Sequence, residues 1–139
     1  MEQVLTGGCH CGKVRIELAT AIRPADFHPR ACDCSFCTKH GAAYVSDPRG
    51  RLRVIASDGL ADYRQGSGTA RMLLCRACGV LVGAVLEENG RRYGAVNATC
   101  LEGVALGAPQ AVSPQTLGVD DKKARWTRLW TPDVEIVSP

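Results

Sequence analysis

The chain has 139 residues, of which 45% are hydrophobic and 22% charged, ordinary values for a soluble globular protein and enough to bury a core as one domain over 1–139. Its net charge is only +3, with Lys and Arg scattered, so composition makes no case for nucleic acid or an anionic membrane as partner. No apolar stretch approaches the roughly 20 residues of a membrane span. The opening Met1-Glu2-Gln3-Val4-Leu5-Thr6 lacks a basic start, an apolar run and a small-residue cleavage site, which predicts a cytoplasmic protein.

In chain order, Thr6-Gly7-Gly8-Cys9-His10-Cys11-Gly12 reads as a glycine-flanked turn of the kind a metal knuckle needs. Val14, Ile16 and Leu18 alternate with Lys13, Arg15 and Glu17, predicting a half-buried strand. Pro24 and Pro29 make 21–30 a loop that delivers the chain into Cys32-Asp33-Cys34-Ser35-Phe36-Cys37. Thr38-Lys39-His40-Gly41 can close one helical turn, Ala42-Ala43-Tyr44-Val45 a short strand, and Asp47-Pro48-Arg49-Gly50 a turn before the strand Leu52-Arg53-Val54-Ile55. Leu60-Ala61-Asp62-Tyr63-Arg64 is a weaker strand, ended by Gln65-Gly66-Ser67-Gly68. Arg71-Met72-Leu73-Leu74 runs into Cys75-Arg76-Ala77-Cys78-Gly79, and 80–86 leaves it, giving strand, knuckle, strand. Glu88-Asn89-Gly90 is a hairpin signal. Beyond Leu101 the pattern loosens, with a short helix or turn at 120–126 and a closing strand at 134–137. Short strands and Gly-rich turns predict an all-β or β-dominated fold.

Seven of the eight cysteines fall in three clusters, and Cys100 stands alone. In a reducing compartment clustered thiols are ligands or redox groups before they are disulfides, and a Cys-x-Cys bridge would close a strained ring. Cys9, Cys11, Cys75 and Cys78 together make a four-thiolate site that zinc favours. A link across that loop restricts the unfolded chain by about 4 kcal/mol on the chain-entropy estimate, and structural zinc supplies roughly 10–16 kcal/mol in small zinc-finger peptides. Cys32, Cys34 and Cys37 supply three ligands from one segment. A zinc held by three protein ligands keeps an open position, the mark of a catalytic site. Three thiolates leave Zn²⁺ with a net negative charge, which suits binding an incoming thiol as thiolate better than activating water. The same segment also suits a closed site completed by His28, His40 or Cys100. Two zinc ions per chain are expected.

Gly8-Cys9-His10-Cys11-Gly12, Cys32-Asp33-Cys34-Ser35-Phe36-Cys37 and Cys75-Arg76-Ala77-Cys78-Gly79 resemble, in order and spacing, the glutathione-dependent formaldehyde-activating enzyme family, which also contains centromere protein V. The resemblance continues through Val96-Asn97-Ala98-Thr99-Cys100-Leu101-Glu102 and covers roughly 6–102, leaving the tail 103–139 outside it. It implies an Mss4-like fold of several short antiparallel strands stapled by zinc knuckles, with two zinc sites. Cys9, Cys11, Cys75 and Cys78 match the family's structural ligands, and Cys32, Cys34 and Cys37 its catalytic ones. The implied activity is that of a carbon–sulfur lyase joining glutathione to formaldehyde as S-hydroxymethylglutathione. Met72-Leu73-Leu74-Cys75-Arg76 departs from the aromatic-rich approach, with Pro inside the last knuckle, that many members of the family carry.

His40, three residues past Cys37, suits a proton donor to the product alkoxide, since an unperturbed imidazole titrates near neutrality. His10 is expected to pack beside the structural site and Cys100 to be a buried small residue. Arg30, Lys39, Arg49 and Arg51 are placed to steer the carboxylates of a glutathione-like thiol, the alternative being solvated surface charge. Trp126 and Trp130, four apart, suit the core or interface edge of a tail helix. Two other functional classes compete with the zinc lyase. One is a zinc-stabilised protein- or nucleic-acid-binding module whose central site is closed. The other is a thiol-redox protein using Cys75 and Cys78, disfavoured by the absence of a thioredoxin-like βαβ pattern.

Overall fold

The structure is a computed structural model and describes residues 2–56 and 59–139; Met1 of the opening segment lies outside them. In chain order the strands of the first half are β1 (Gln3–Gly8), β2 (Val14–Thr20), β3 (Arg30–Cys32), β4 (Ala43–Val45) and β5 (Arg51–Ala56), with helix α1 (Ser35–His40) between β3 and β4. The second half supplies β6 (Leu60–Tyr63), β7 (Arg71–Cys75), β8 (Leu81–Glu88), β9 (Arg91–Asn97), β10 (Gln110–Val112), helix α2 (Val119–Leu129) and β11 (Val134–Val137). The β-dominated fold expected from the sequence is the one observed. No helix among the described residues is long and apolar enough to cross a membrane.

Period-two alternation builds the smaller sheet, ordered β1-β2-β5-β11. Val14, Ile16 and Leu18 of β2 turn inward together and are at most 1% exposed. Leu52, Val54 and Ala56 of β5 do the same beside them. The larger sheet has seven strands in the order β10-β3-β4-β9-β8-β7-β6. Its interior strand β8 has six consecutive buried residues, Leu81 through Leu86, because both of its faces are covered. One face packs on the smaller sheet, with Val82, Val85, Val96, Leu73 and Val45 meeting Ile16, Leu18 and Val54. The other face carries Leu81, Ala84, Leu86, Met72 and Tyr44 against Cys34, Cys37 and Trp130. Each fully buried Leu, Val or Ile contributes roughly 1.5–3 kcal/mol, so an aliphatic core suffices in a chain with few aromatics.

The Asn89-Gly90 signal is realised as a two-residue hairpin loop between Glu88 and Arg91. Asn89 has φ 53° and Gly90 φ 74°, the two positive values of a type I′ turn. Two pairings depart from the all-antiparallel expectation. β10 runs parallel to β3 and β11 parallel to β5, which long connections from the tail permit and short hairpins do not. The segment beyond Leu101, loosely patterned in sequence, is thus tied into both sheets.

Gly7 marks the closest approach between β1 and the segment after β9. It bridges to Leu101, and a Cβ at this position would lie 1.8 Å from the Cys100 carbonyl oxygen. Gly7→Ala is therefore expected to destabilise the protein by at least about 3 kcal/mol, since backbone rather than a movable side chain must yield. Urea unfolding measures this, and an unchanged midpoint would contradict the packing described.

Candidate metal centres and the cleft beside the tail helix

Cys9 and Cys11 lie in the turn from β1 to β2, Cys75 ends β7, and Cys78 lies in the turn from β7 to β8. Their four Sγ atoms lie within 4.8 Å of one another. The Cys9–Cys11 and Cys11–Cys75 separations are 3.7 and 3.6 Å. A tetrahedron with Zn–S bonds of ~2.3 Å has edges of ~3.8 Å, whereas a disulfide holds its sulfurs ~2.05 Å apart. The spacing suits one shared cation.

Each knuckle also turns its own backbone N–H groups onto sulfur. Val14 N donates to Cys9 Sγ at 3.3 Å and Cys78 N to Cys75 Sγ at 3.4 Å. Backbone N–H groups of Val80 and then Cys11 draw the Cys78 thiol down to about 6, favouring the thiolate a metal binds. Cys100 belongs to neither cluster. It is 4% exposed, its Sγ donates to the Leu81 carbonyl at 3.4 Å, and burial pushes its thiol up to about 11. It is the buried small residue expected.

The central cysteines sit on the opposite face of the larger sheet. Cys32 ends β3, Cys34 caps α1, and Cys37 lies within that helix. Their Sγ atoms also fall within 4.8 Å of one another. Cys37 N donates to Cys34 Sγ at 3.4 Å, Gln65 Nε2 donates to the same sulfur at 3.8 Å, and Tyr44 Oη lies 3.2 Å from Cys37 Sγ. Hydrogen bonding from Cys37 draws Cys32 down to about 6, while Cys32 and then burial push Cys37 upward. One thiolate is thus favoured, and further negative charge in so small a volume calls for a cation. Both clusters offer sulfur alone, the donor set that selects soft or borderline ions.

Among the described residues no histidine, carboxylate or further cysteine joins the three. His28 is exposed with Nδ1 3.0 Å from the Ala108 carbonyl. His40 is exposed at the end of α1, its ring 4.7 Å from that of Phe36. His10 is exposed in the first knuckle.

The three cysteines lie in the wall of a cleft with a cavity volume of about 90 Å³. Tyr44, Met72 and Ala84 supply sheet residues, Gln65, Ser67 and Thr69 come from the β6–β7 connection, and the tail supplies the far side with Gln115, Lys122, Arg125, Trp126 and Trp130. The two tryptophans stack with ring centroids 4.7 Å apart. Three bonds fasten the tail across the cysteine segment. Asp33 N donates to the Val112 carbonyl at 3.0 Å, Ser113 Oγ donates to the Asp33 carboxylate at 2.7 Å, and Gln115 Nε2 donates to the same carboxylate. Arg30 Nη2 donates to Ser46 Oγ, which donates to the Leu129 carbonyl, both at 2.7 Å.

Of the four cations singled out in sequence, only Arg30 lines this cleft. Arg51 instead pairs with Glu2 at 2.7 Å on the smaller sheet. Sequence reasoning passes over Tyr44, Gln65, Lys122 and Arg125. The Trp126–Trp130 spacing is the one local sign that the tail carries an ordered aromatic face.

A β-sheet protein with a four-thiol cluster on one side and a three-thiol cleft on the other belongs among the cysteine-rich proteins able to hold two metal ions. The family model described as glutathione-dependent formaldehyde-activating enzyme matches residues 4–118, and the chain belongs to that family. The match reaches further than the sequence resemblance over 6–102 and stops immediately before α2. A crystal structure of a Rhodobacter sphaeroides protein, a Northeast Structural Genomics target, is similar at 35% identity with a TM-score of 0.59. The similarity covers 77% of this chain and 99% of that one.

Proposed function

We propose that this protein is a zinc-dependent carbon–sulfur lyase resembling S-(hydroxymethyl)glutathione synthase. Cys9, Cys11, Cys75 and Cys78 would hold a structural zinc, and Cys32, Cys34 and Cys37 would hold a second that would supply binding for the substrate thiol. The observation that carries this reading is the three-sulfur cluster in a cleft wall, with no fourth protein ligand among the described residues within 4.8 Å. A three-thiolate zinc with an open position supplies sulfur binding and keeps a thiol in its nucleophilic, deprotonated form.

The chain's own residues do the rest. Tyr44 Oη and Gln65 Nε2 fix the orientation of Cys37 and Cys34, as outer partners of ligands do. Met72, Ala84, Trp126 and Trp130 make an apolar surround that limits water. In the reaction a C–S bond forms between thiol sulfur and formaldehyde carbon, and the carbonyl π pair moves to oxygen. The proton lost by the thiol ends on that oxygen, giving the hydroxymethyl thioether with no redox change. His40 lies outside the cleft lining, so its part as proton donor runs through solvent. Among the described residues, Tyr44, Ser67 and Thr69 are the hydroxyl groups that face the cleft directly.

Metal analysis and X-ray absorption with and without glutathione test the assignment. Two zinc ions per chain, with one site gaining a fourth sulfur on thiol addition, are expected. One zinc, or two closed sites indifferent to thiol, would sink the lyase reading in favour of a zinc-stapled binding module. Tyr44→Phe is expected to weaken zinc at the central site about tenfold, the usual size of an outer-partner loss. Chelator competition reads this directly, and equal affinities would remove Tyr44 from that supporting role.

A further inference from the structure

Among the described residues three cations face the cleft, Arg30 from β3 and Lys122 and Arg125 from α2, and no Asp or Glu side chain lines it. None of the three makes an ion pair with a carboxylate of the described residues; Arg30 bonds Ser46 Oγ and Lys122 bonds Ser67 Oγ at 3.0 Å. Arg30 and Cys32 are two residues apart on β3, so their side chains leave the strand on the same face. Arg30 and Arg125 are both half-buried in the lining of one cleft, and neither has a carboxylate counter-charge among the described residues, an arrangement that an anion relieves. Three thiolates on a divalent cation sum to a single negative charge, which leaves the three cations in excess.

We propose that Arg30, Lys122 and Arg125 form an oxyanion subsite, so that the thiol bound at the three cysteines is one carrying a carboxylate or sulfonate, selected by side chains of α2. The proposal rests on the thiol-binding reading above and adds what chooses the thiol. It also places the choosing residues Lys122 and Arg125 beyond residue 118, outside the part of the chain that matches the family model. Trp126 and Trp130 would flank the body of the same molecule, with Arg125 and Lys122 on the same helix reaching its charged end.

Trp126 and Trp130 are the chain's two tryptophans, so its intrinsic indole fluorescence reports on the cleft wall. The test titrates the zinc-loaded full chain, by fluorescence and calorimetry, with 3-mercaptopropionate, 2-mercaptoethanesulfonate, uncharged 2-mercaptoethanol and cationic cysteamine. Inorganic phosphate serves as a thiol-free anion. The anionic thiols are expected to bind at least about tenfold tighter than 2-mercaptoethanol, the size of one charge-assisted hydrogen bond. Arg125→Gln should reduce that preference to less than about threefold with the affinity for 2-mercaptoethanol unchanged, and Arg125→Lys should restore most of it. Phosphate should compete with the anionic thiols and spare the neutral one.

Equal binding of charged and neutral thiols would overturn the subsite and leave the thiol site standing. The subsite is overturned equally if Arg125→Gln weakens both alike, since that is a structural effect. Phosphate binding lost in Arg125→Gln, with no thiol bound at all, would keep the oxyanion subsite and overturn the lyase reading instead.

Discussion

Replacing Cys34 with serine is expected to lower glutathione-plus-formaldehyde turnover at least about a thousandfold, while the protein stays folded. The loss corresponds to about 4 kcal/mol of barrier and follows from removing one of three sulfurs that have no fourth protein partner among the described residues. A serine hydroxyl is a poor substitute for a thiolate toward zinc. Folding should survive because Cys34 is the N-cap of α1, where its sulfur accepts a bond from Cys37 N. Serine is among the preferred residues at that position and can accept the same bond. Zinc content should fall from two ions per chain to one, and circular dichroism should be unchanged. Turnover at the original rate would remove the central cluster from the reaction. Cys100→Ser is the matched control, because Cys100 lies outside both clusters; it should leave turnover intact.

Cys75→Ala should act on stability rather than on chemistry. Cys11 and Cys75 are 64 residues apart in sequence, with sulfurs 3.6 Å apart, so the outer cluster closes most of the first half of the chain. Losing that link should cost at least about 4 kcal/mol on the loop-closure estimate, and more where zinc contributes its full binding energy to folding. Total stability of a domain this size is commonly about 5–15 kcal/mol. The melting temperature should fall by roughly 12–20 °C, or the variant should be recovered unfolded. Treating the original protein with a strong chelator should reproduce the drop, and re-adding zinc should reverse it only while Cys75 is present. A melting temperature within about 2 °C of the original would show that the four sulfurs gather without stapling anything.

Much of this organisation is legible in the sequence because it is local. The glycine-flanked cysteine pairs, the alternation of Val14, Ile16 and Leu18, and the Asn89-Gly90 turn each carry their own geometry within a few residues. The gathering of four cysteines across 64 residues is legible for another reason, namely that sulfur ligands must find partners. Tyr44 reads in sequence as a strand residue and nothing more. Alternation says which side chains share a face and is silent on what lies opposite, and here that is Cys37. Likewise Arg30 and Arg51 look alike in sequence, yet one faces the cleft and the other pairs with Glu2. The tail is the least legible part. Its strand partners lie about 80 residues earlier, and no local pattern reports a pairing at that distance.

That same pairing sets an order of assembly. β10 and β11 can add to β3 and β5 only after some 80 intervening residues exist, and contacts this remote in sequence form late in folding. During synthesis the hairpin of β1 and β2 can form early, and the outer sulfurs can meet once Cys75 and Cys78 have emerged. The segment from Cys32 to Cys37 then still lacks its strand neighbour Val112 and the Ser113 and Gln115 bonds to Asp33. For that interval the central cysteines lack the covering that the tail provides. A nascent chain can therefore offer these three sulfurs to a cation before α2 arrives to make the wall.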